Sequence, residues 1–119
     1  MTVKLLVKRV GLIKVPLPQY QTKGAVGLDL HAAIGPEGGG LSIRPGEHRA
    51  IPTGLAFAIP EGYEGTVRAR SGHARDYAVT VTNGVGTIDL TSAASWRCSS
   101  STWARATSGS SPWSASRNW

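Results

Sequence analysis

Three short stretches of this chain collect residue types that do chemistry. In Ala25-Val-Gly-Leu-Asp29-Leu30 a carboxylate follows a glycine within an apolar run. An aspartate so placed can hold a magnesium ion directly or through water, although a turn or strand edge uses the same residue. In Arg70-Ser71-Gly72-His73-Ala74 a cation, a hydroxyl and a glycine are adjacent. Gly72 lets the backbone come close to a ligand, the neighbouring N–H groups suit a phosphate, and Arg70 adds charge. Arg-Ser-Gly also occurs in ordinary turns. In Asn83-Gly-Val-Gly86-Thr87-Ile88-Asp89 a glycine-rich hairpin exposes main-chain donors and acceptors. Such groups can read the edge of a base, and an aspartate at the hairpin's end can hold and deprotonate a water. The plainer alternative is a hairpin that ends in an aspartate.

The elements that must position these residues are short strands. Residues 3–10 alternate around Val3, Leu5 and Val7, which predicts a first strand with one polar face. Pro16 and Pro18 break any regular element after it. Residues 24–33 read as a second short strand, and Leu41 and Ile43 open another before an Arg44-Pro-Gly-Glu47 turn. Leu55, Phe57 and Ile59 alternate as a buried strand, Pro60-Glu-Gly62 turns the chain, and Thr66 to Arg70 runs back with Val67 and Ala69 on one face. Tyr77, Val79 and Val81 alternate again before Asn83-Gly84, the strongest short hairpin signal in the chain. No segment keeps a helical period. The expected class is all-β, a sandwich or barrel.

In order and spacing, AVGLDL, RSGHA and NGVGTID resemble motifs one, two and three of the trimeric dUTP pyrophosphatase (dUTPase) family. The intervening IPTGLAFAIPEGYEGTVRARSG passage fits as well, so the resemblance spans almost all of residues 1–89. It implies a jelly-roll (β-clip) fold, a homotrimer with active sites at subunit interfaces, and dUTP with Mg²⁺ as substrate and cofactor. The implied products are dUMP and pyrophosphate. By position, Asn83 and the hairpin backbone through Gly86, Thr87 and Ile88 would read uracil, leaving no room for a thymine methyl group. Asp89 would orient and deprotonate the attacking water near the deoxyribose. Arg70, Ser71 and Gly72 would hold phosphate oxygens of a nucleotide on a neighbouring chain, and Asp29 would touch the magnesium's water shell. Catalysis would rest on positioning and charge neutralisation. The chain departs from the family pattern at Ala69, usually proline, at His73, usually leucine, and at Val85, usually proline, alanine or leucine.

Beyond Asp89 the composition changes. Residues 1–89 hold 23 Ile, Leu and Val residues; residues 90–119 hold only Leu90, with ten Ser and all four Trp. The segment has neither alternation nor an aliphatic face, yet it is too rich in tryptophan for an ordinary disordered tail. The genetic code accounts for it. Trp is read from TGG, which one base earlier reads as a Leu, Val or Met codon, and a TCN serine becomes Val, Leu, Ile or Phe. With one base restored after the codon of Asp89, permitted codons yield FRGE, then an alternating ELEVLVV, then ERVAQL, in the order and spacing of the family's continuation. Residues 1–89 therefore read as a dUTPase-like β domain, and 90–119 as a frameshifted, non-native tail. That reading expects an open sheet edge, loss of motifs four and five, and an impaired enzyme.

The remaining totals bound the alternatives. A chain of 119 residues makes one domain with a modest core. The single Cys98 allows no internal disulfide. No apolar run is long enough for a bilayer and no leader pattern opens the chain, so a cytoplasmic protein without membrane contact is expected. The net charge is +6, but three of the thirteen Lys and Arg sit in the acid-free tail, so a nucleic-acid partner is not expected. A dCTP deaminase-like relative and a non-catalytic basic β-module remain the competing classes.

Overall fold

The computed structural model describes residues 2–35 and 40–90, and the backbone of a strand at 97–102. Alternation at 55–59 has the expected result: Leu55, Phe57 and Ile59 are buried while Ala58 faces out. Three small sheets form around these side chains. In the first, β1 (Leu6–Arg9) pairs antiparallel with β3 (Leu55–Ala58), Leu6 opposite Ala58 and Arg9 opposite Leu55. Past the ladder, the Val10 N–H donates to the Gly54 carbonyl at 2.9 Å, and the Arg9 Nε donates to the Val15 carbonyl at 2.8 Å. In the second, β7 (Arg97–Thr102) lies between β2 (His48–Pro52) and β5 (Val79–Val81). In the third, β4 (Gly65–Val67) pairs with β6 (Gly86–Ile88).

The core has two centres. Val15, Ala33, Leu55, Phe57, Ile59 and Ile88 form the larger, and Ala32, Ile43 and Ile51 the smaller. Each fully buried aliphatic contributes about 1.5–3 kcal/mol. The sheets approach closely at Gly65, where a Cβ would meet Ile59 Cδ1 at 3.0 Å and Ile88 Cβ at 3.2 Å. Both expected turns are present: the Glu47 N–H donates to the Arg44 carbonyl at 2.9 Å, and the Tyr63 N–H to the Pro60 carbonyl at 3.2 Å.

The structure differs from the sequence expectation at five places. Residues 24–33 form no strand; their one cross-link to a sheet is the Ala33 N–H, which donates to the Pro52 carbonyl at 2.7 Å. Leu41–Ile43 contributes a single bridge at Ser42 rather than a strand. A helix, α1 (Ser71–Tyr77), stands where none was expected, and it takes Tyr77 out of the following strand. At seven residues it is too short to show a period; it ends at Ala78, whose left-handed φ of 54° stops the helix and whose N–H donates back to Ala74. Asn83-Gly84 makes its turn, with the Gly84 N–H on the Val81 carbonyl at 2.9 Å and Gly84 at φ 78°. The strands it joins do not pair with each other: β5 pairs with β7, and β6 with β4. Lastly, Arg97–Thr102 forms a strand without an alternating sequence and covers the edges of β2 and β5. Ladder bonds are made by main chain, which any residue but proline supplies. The rest of the expected tail, 91–96 and 103–119, lies outside the described residues.

Candidate functional site

Asp29 sits on the unladdered segment and is held from behind. Leu30 packs on the larger core centre, Ala32 belongs to the smaller, and Ala33 is tied to Pro52. Arg70 follows β4 and caps α1 in an extended conformation, φ −66° and ψ 129°. These two anchored segments bring Asp29 Oδ2 to 3.5 Å from Arg70 Nη1. The Asp29 side chain is 24% exposed and that of Arg70 48%, so the pair is solvent-screened and gives about 0–1 kcal/mol of stability. Its weight is in orientation, since it points a cation and a carboxylate at one space.

That space is a cavity of about 710 Å³. Asp29, His31, Thr66, Arg70, His73 and Ile88 are among its walls. Of the residues expected at a site, the cavity therefore gathers Asp29, Arg70 and Ile88. Ser71, Gly72, Asn83, Gly86, Thr87 and Asp89 lie outside its walls. They are positioned nearby in sequence by defined elements. Ser71 and Gly72 open α1, in the turn whose N–H groups have no partner within the helix. Thr87 stands opposite Thr66, and Gly86 opposite Val67, in the β4–β6 ladder. Asp89 leaves the end of β6 at the surface, directly after the buried Ile88. Among the described residues, a Cβ at position 72 would meet no atom within 4 Å outside its own helix.

Two histidines on the cavity wall were not among the expected site residues. The His31 Nδ1 is buried and has no hydrogen-bond partner among the described residues. Its signal was the Asp29-Leu-His31 spacing, which puts both side chains on one side of an extended segment. His73 lies one helical turn past Arg70, a relation visible only once α1 is known; its ring centroid is 6.0 Å from that of Tyr77. On the same helix, Arg75 donates to Asp76 at 2.6 and 3.0 Å, which holds the Asp76 carboxyl below the usual aspartate range and raises the guanidinium.

Among the described residues no three His, Cys, Asp or Glu side chains gather to hold a metal. A magnesium ion carried by phosphates is different, since one or two carboxylates and water suffice for it. Asp29, a part-exposed carboxylate on the wall of an open cavity, fits that role.

The chain is thus an all-β jelly roll with a paired carboxylate and guanidinium on the wall of a cavity. The comparisons place the chain within it. The dUTPase family model matches residues 14–95. The deoxyuridine 5′-triphosphate nucleotidohydrolase of Beijerinckia indica is 53% identical over 87 residues, which is 72% of this chain and 54% of that protein. The dUTPase of Staphylococcus aureus phage phi11 superposes with a TM-score of 0.74 at 25% identity, over 90% of this chain and 64% of its own. A point mutant of the phage 80alpha dUTPase, solved with dUpNHpp, gives 0.71 at 26% identity over 83% of this chain and 54% of its own. This chain belongs to the dUTPase family. It spans about half the length of the curated relatives it matches.

Proposed function

We propose that the intact protein hydrolyses dUTP to dUMP and pyrophosphate, consuming one water. The observation that carries this is the Asp29–Arg70 pair at 3.5 Å, because it joins motif one to motif two across a cavity. Arg70 binds phosphate oxygens, with the Ser71 hydroxyl and the Gly72 backbone beside it. Asn83, Gly86, Thr87 and Ile88 bind the uracil through main chain, and Asp89 holds the attacking water and accepts its proton. Asp29 orients water around the phosphate-borne Mg²⁺, which when bound neutralises charge on the phosphates.

The site is completed in a homotrimer. Two observations support that assembly: the expected residues outside the cavity's walls, and the exposed Leu5, Leu6, Leu12 and Val26, apolar side chains that a neighbouring chain would cover. We assign the protein to the cytoplasm, in keeping with the absence, among the described residues, of any helix long and apolar enough to cross a membrane. Residues 1–89 are the functional β domain and 90–119 the frameshifted segment, which weakens both assembly and turnover.

The test is pyrophosphate release from dUTP and from dCTP, by the chain itself and by a version rewritten in the restored frame from residue 90. The restored version is expected to turn over dUTP with Mg²⁺ and to leave dCTP intact, and the chain itself to be much slower. Equal use of both nucleotides would contradict the uracil reading. A fully active original chain would contradict the account of the tail.

A further inference from the structure

Among the cavity's walls, the imidazoles of His31 and His73 have no part in the reading above, and His73 is the one beside Arg70. His73 lies three residues after Arg70, and both line the cavity that Asp29 also lines. Arg70 is the N-cap of α1 and His73 its third residue, and both are cavity walls, so a guanidinium and an imidazole border the same space. The ring is half-buried, and Tyr77 one turn further on lies against it, with centroids 6.0 Å apart and planes at 51°. That contact restricts the imidazole without removing it from the cavity wall.

We infer that His73 is a ligand-binding residue on the polyphosphate side of the site, donating an N–H to a phosphate oxygen beyond the α-phosphate. This rests on the dUTP reading above and adds a contact to it. Arg70 and Arg68 are the cations of the cavity wall, and His73, three residues after Arg70, adds an imidazole donor beside them. A leucine at this position, the residue the family usually carries, would line the same wall but donate nothing. The gain from His73 therefore concerns the phosphates and not the base.

The test compares two ligands and two variants of the full chain. Titration with dUpNHpp and with dUMP measures whether the contact is to the phosphates that only the former carries. His73→Leu is expected to weaken dUpNHpp binding roughly three- to tenfold, the value of one hydrogen bond, and to leave dUMP binding within about twofold. His73→Gln, which keeps a donor, is expected to recover most of the loss; thermal melts of both variants control for folding. Equal weakening of both ligands, no weakening of either, or a Gln variant as poor as Leu would overturn the assignment. Failure of both the unaltered chain and its frame-restored version to bind either nucleotide would overturn the dUTP reading, and this contact with it.

Discussion

Strands β3 and β7 are held in place by different means. β3 has one ladder, to β1, and anchors itself by side chains: Leu55 is 1% exposed and Phe57 7%. β7 has two ladders, to β2 and β5, and its register sets Cys98 opposite Ile51, Ser100 opposite Val81 and Thr102 opposite Val79. Those three partners are buried, and directly opposed residues share a sheet face. Positions 98, 100 and 102 are therefore the backbone positions that oppose buried residues across the ladders, and the sequence has Cys, Ser and Thr there. Main-chain pairing is enough to define where a strand lies; side chains decide how strongly it stays. The register also bears on the proposed frameshift. Both cysteine codons begin TG, so one base earlier position 98 reads as Leu, Val or Met whatever the codon choice. Position 100 likewise reads as apolar from any TCN serine codon. In that frame positions 98 and 100 would be apolar, whereas position 102, from a threonine codon, would read as Asn, Asp, His or Tyr.

The contrast can be broken or sharpened by mutation. Leu55→Ala should cost about 2–5 kcal/mol in a denaturant titration, through lost burial and a cavity; a loss under 1 kcal/mol would mean that β3 is not the better-anchored strand. The double change Cys98→Val and Ser100→Val should add about 1–2 kcal/mol by giving β7 an aliphatic face. No gain there would separate β7 from the core register. Ala78→Gly should stabilise α1 by about 0.5–1 kcal/mol, read as a rise in melting temperature, because Ala78 is the one described non-glycine residue at positive φ. Gly72→Ala should change stability by less than about 0.5 kcal/mol, since a Cβ meets nothing there, while weakening dUpNHpp binding. Smallest is the exposed Arg75–Asp76 pair. Its carboxyl pKa is depressed in the fold, so its contribution is present above the ordinary aspartate range and is lost as pH falls through the lowered value. Arg75→Ala should move the Asp76 titration, followed by NMR, up towards 3.8.

What was legible in the sequence followed local rules. The period-two run at Leu55, Phe57 and Ile59 is a strand because its alternation matches one buried face. The Arg44–Glu47 and Pro60–Tyr63 turns follow from Pro and Gly. The partners of β5 and β6 were not legible, since Asn83-Gly84 specifies a turn, while pairing is decided by strands distant in sequence. α1 was hidden because seven residues give no period, and with it the proximity of His73 to Arg70. At the candidate site the residue types were readable, but the 3.5 Å approach of Asp29 to Arg70 depends on Leu30, Ala32 and Ala33 finding the core.

The central claim is that a carboxylate at the end of β6 activates water for attack on a deoxyuridine triphosphate. Steady-state pyrophosphate release from dUTP by the frame-restored protein and its Asp89→Asn variant tests it most directly. The account predicts a fall in kcat of about 10²–10⁴-fold with dUpNHpp affinity largely kept. An Asp89→Asn variant that turns over dUTP at the unaltered rate would contradict it.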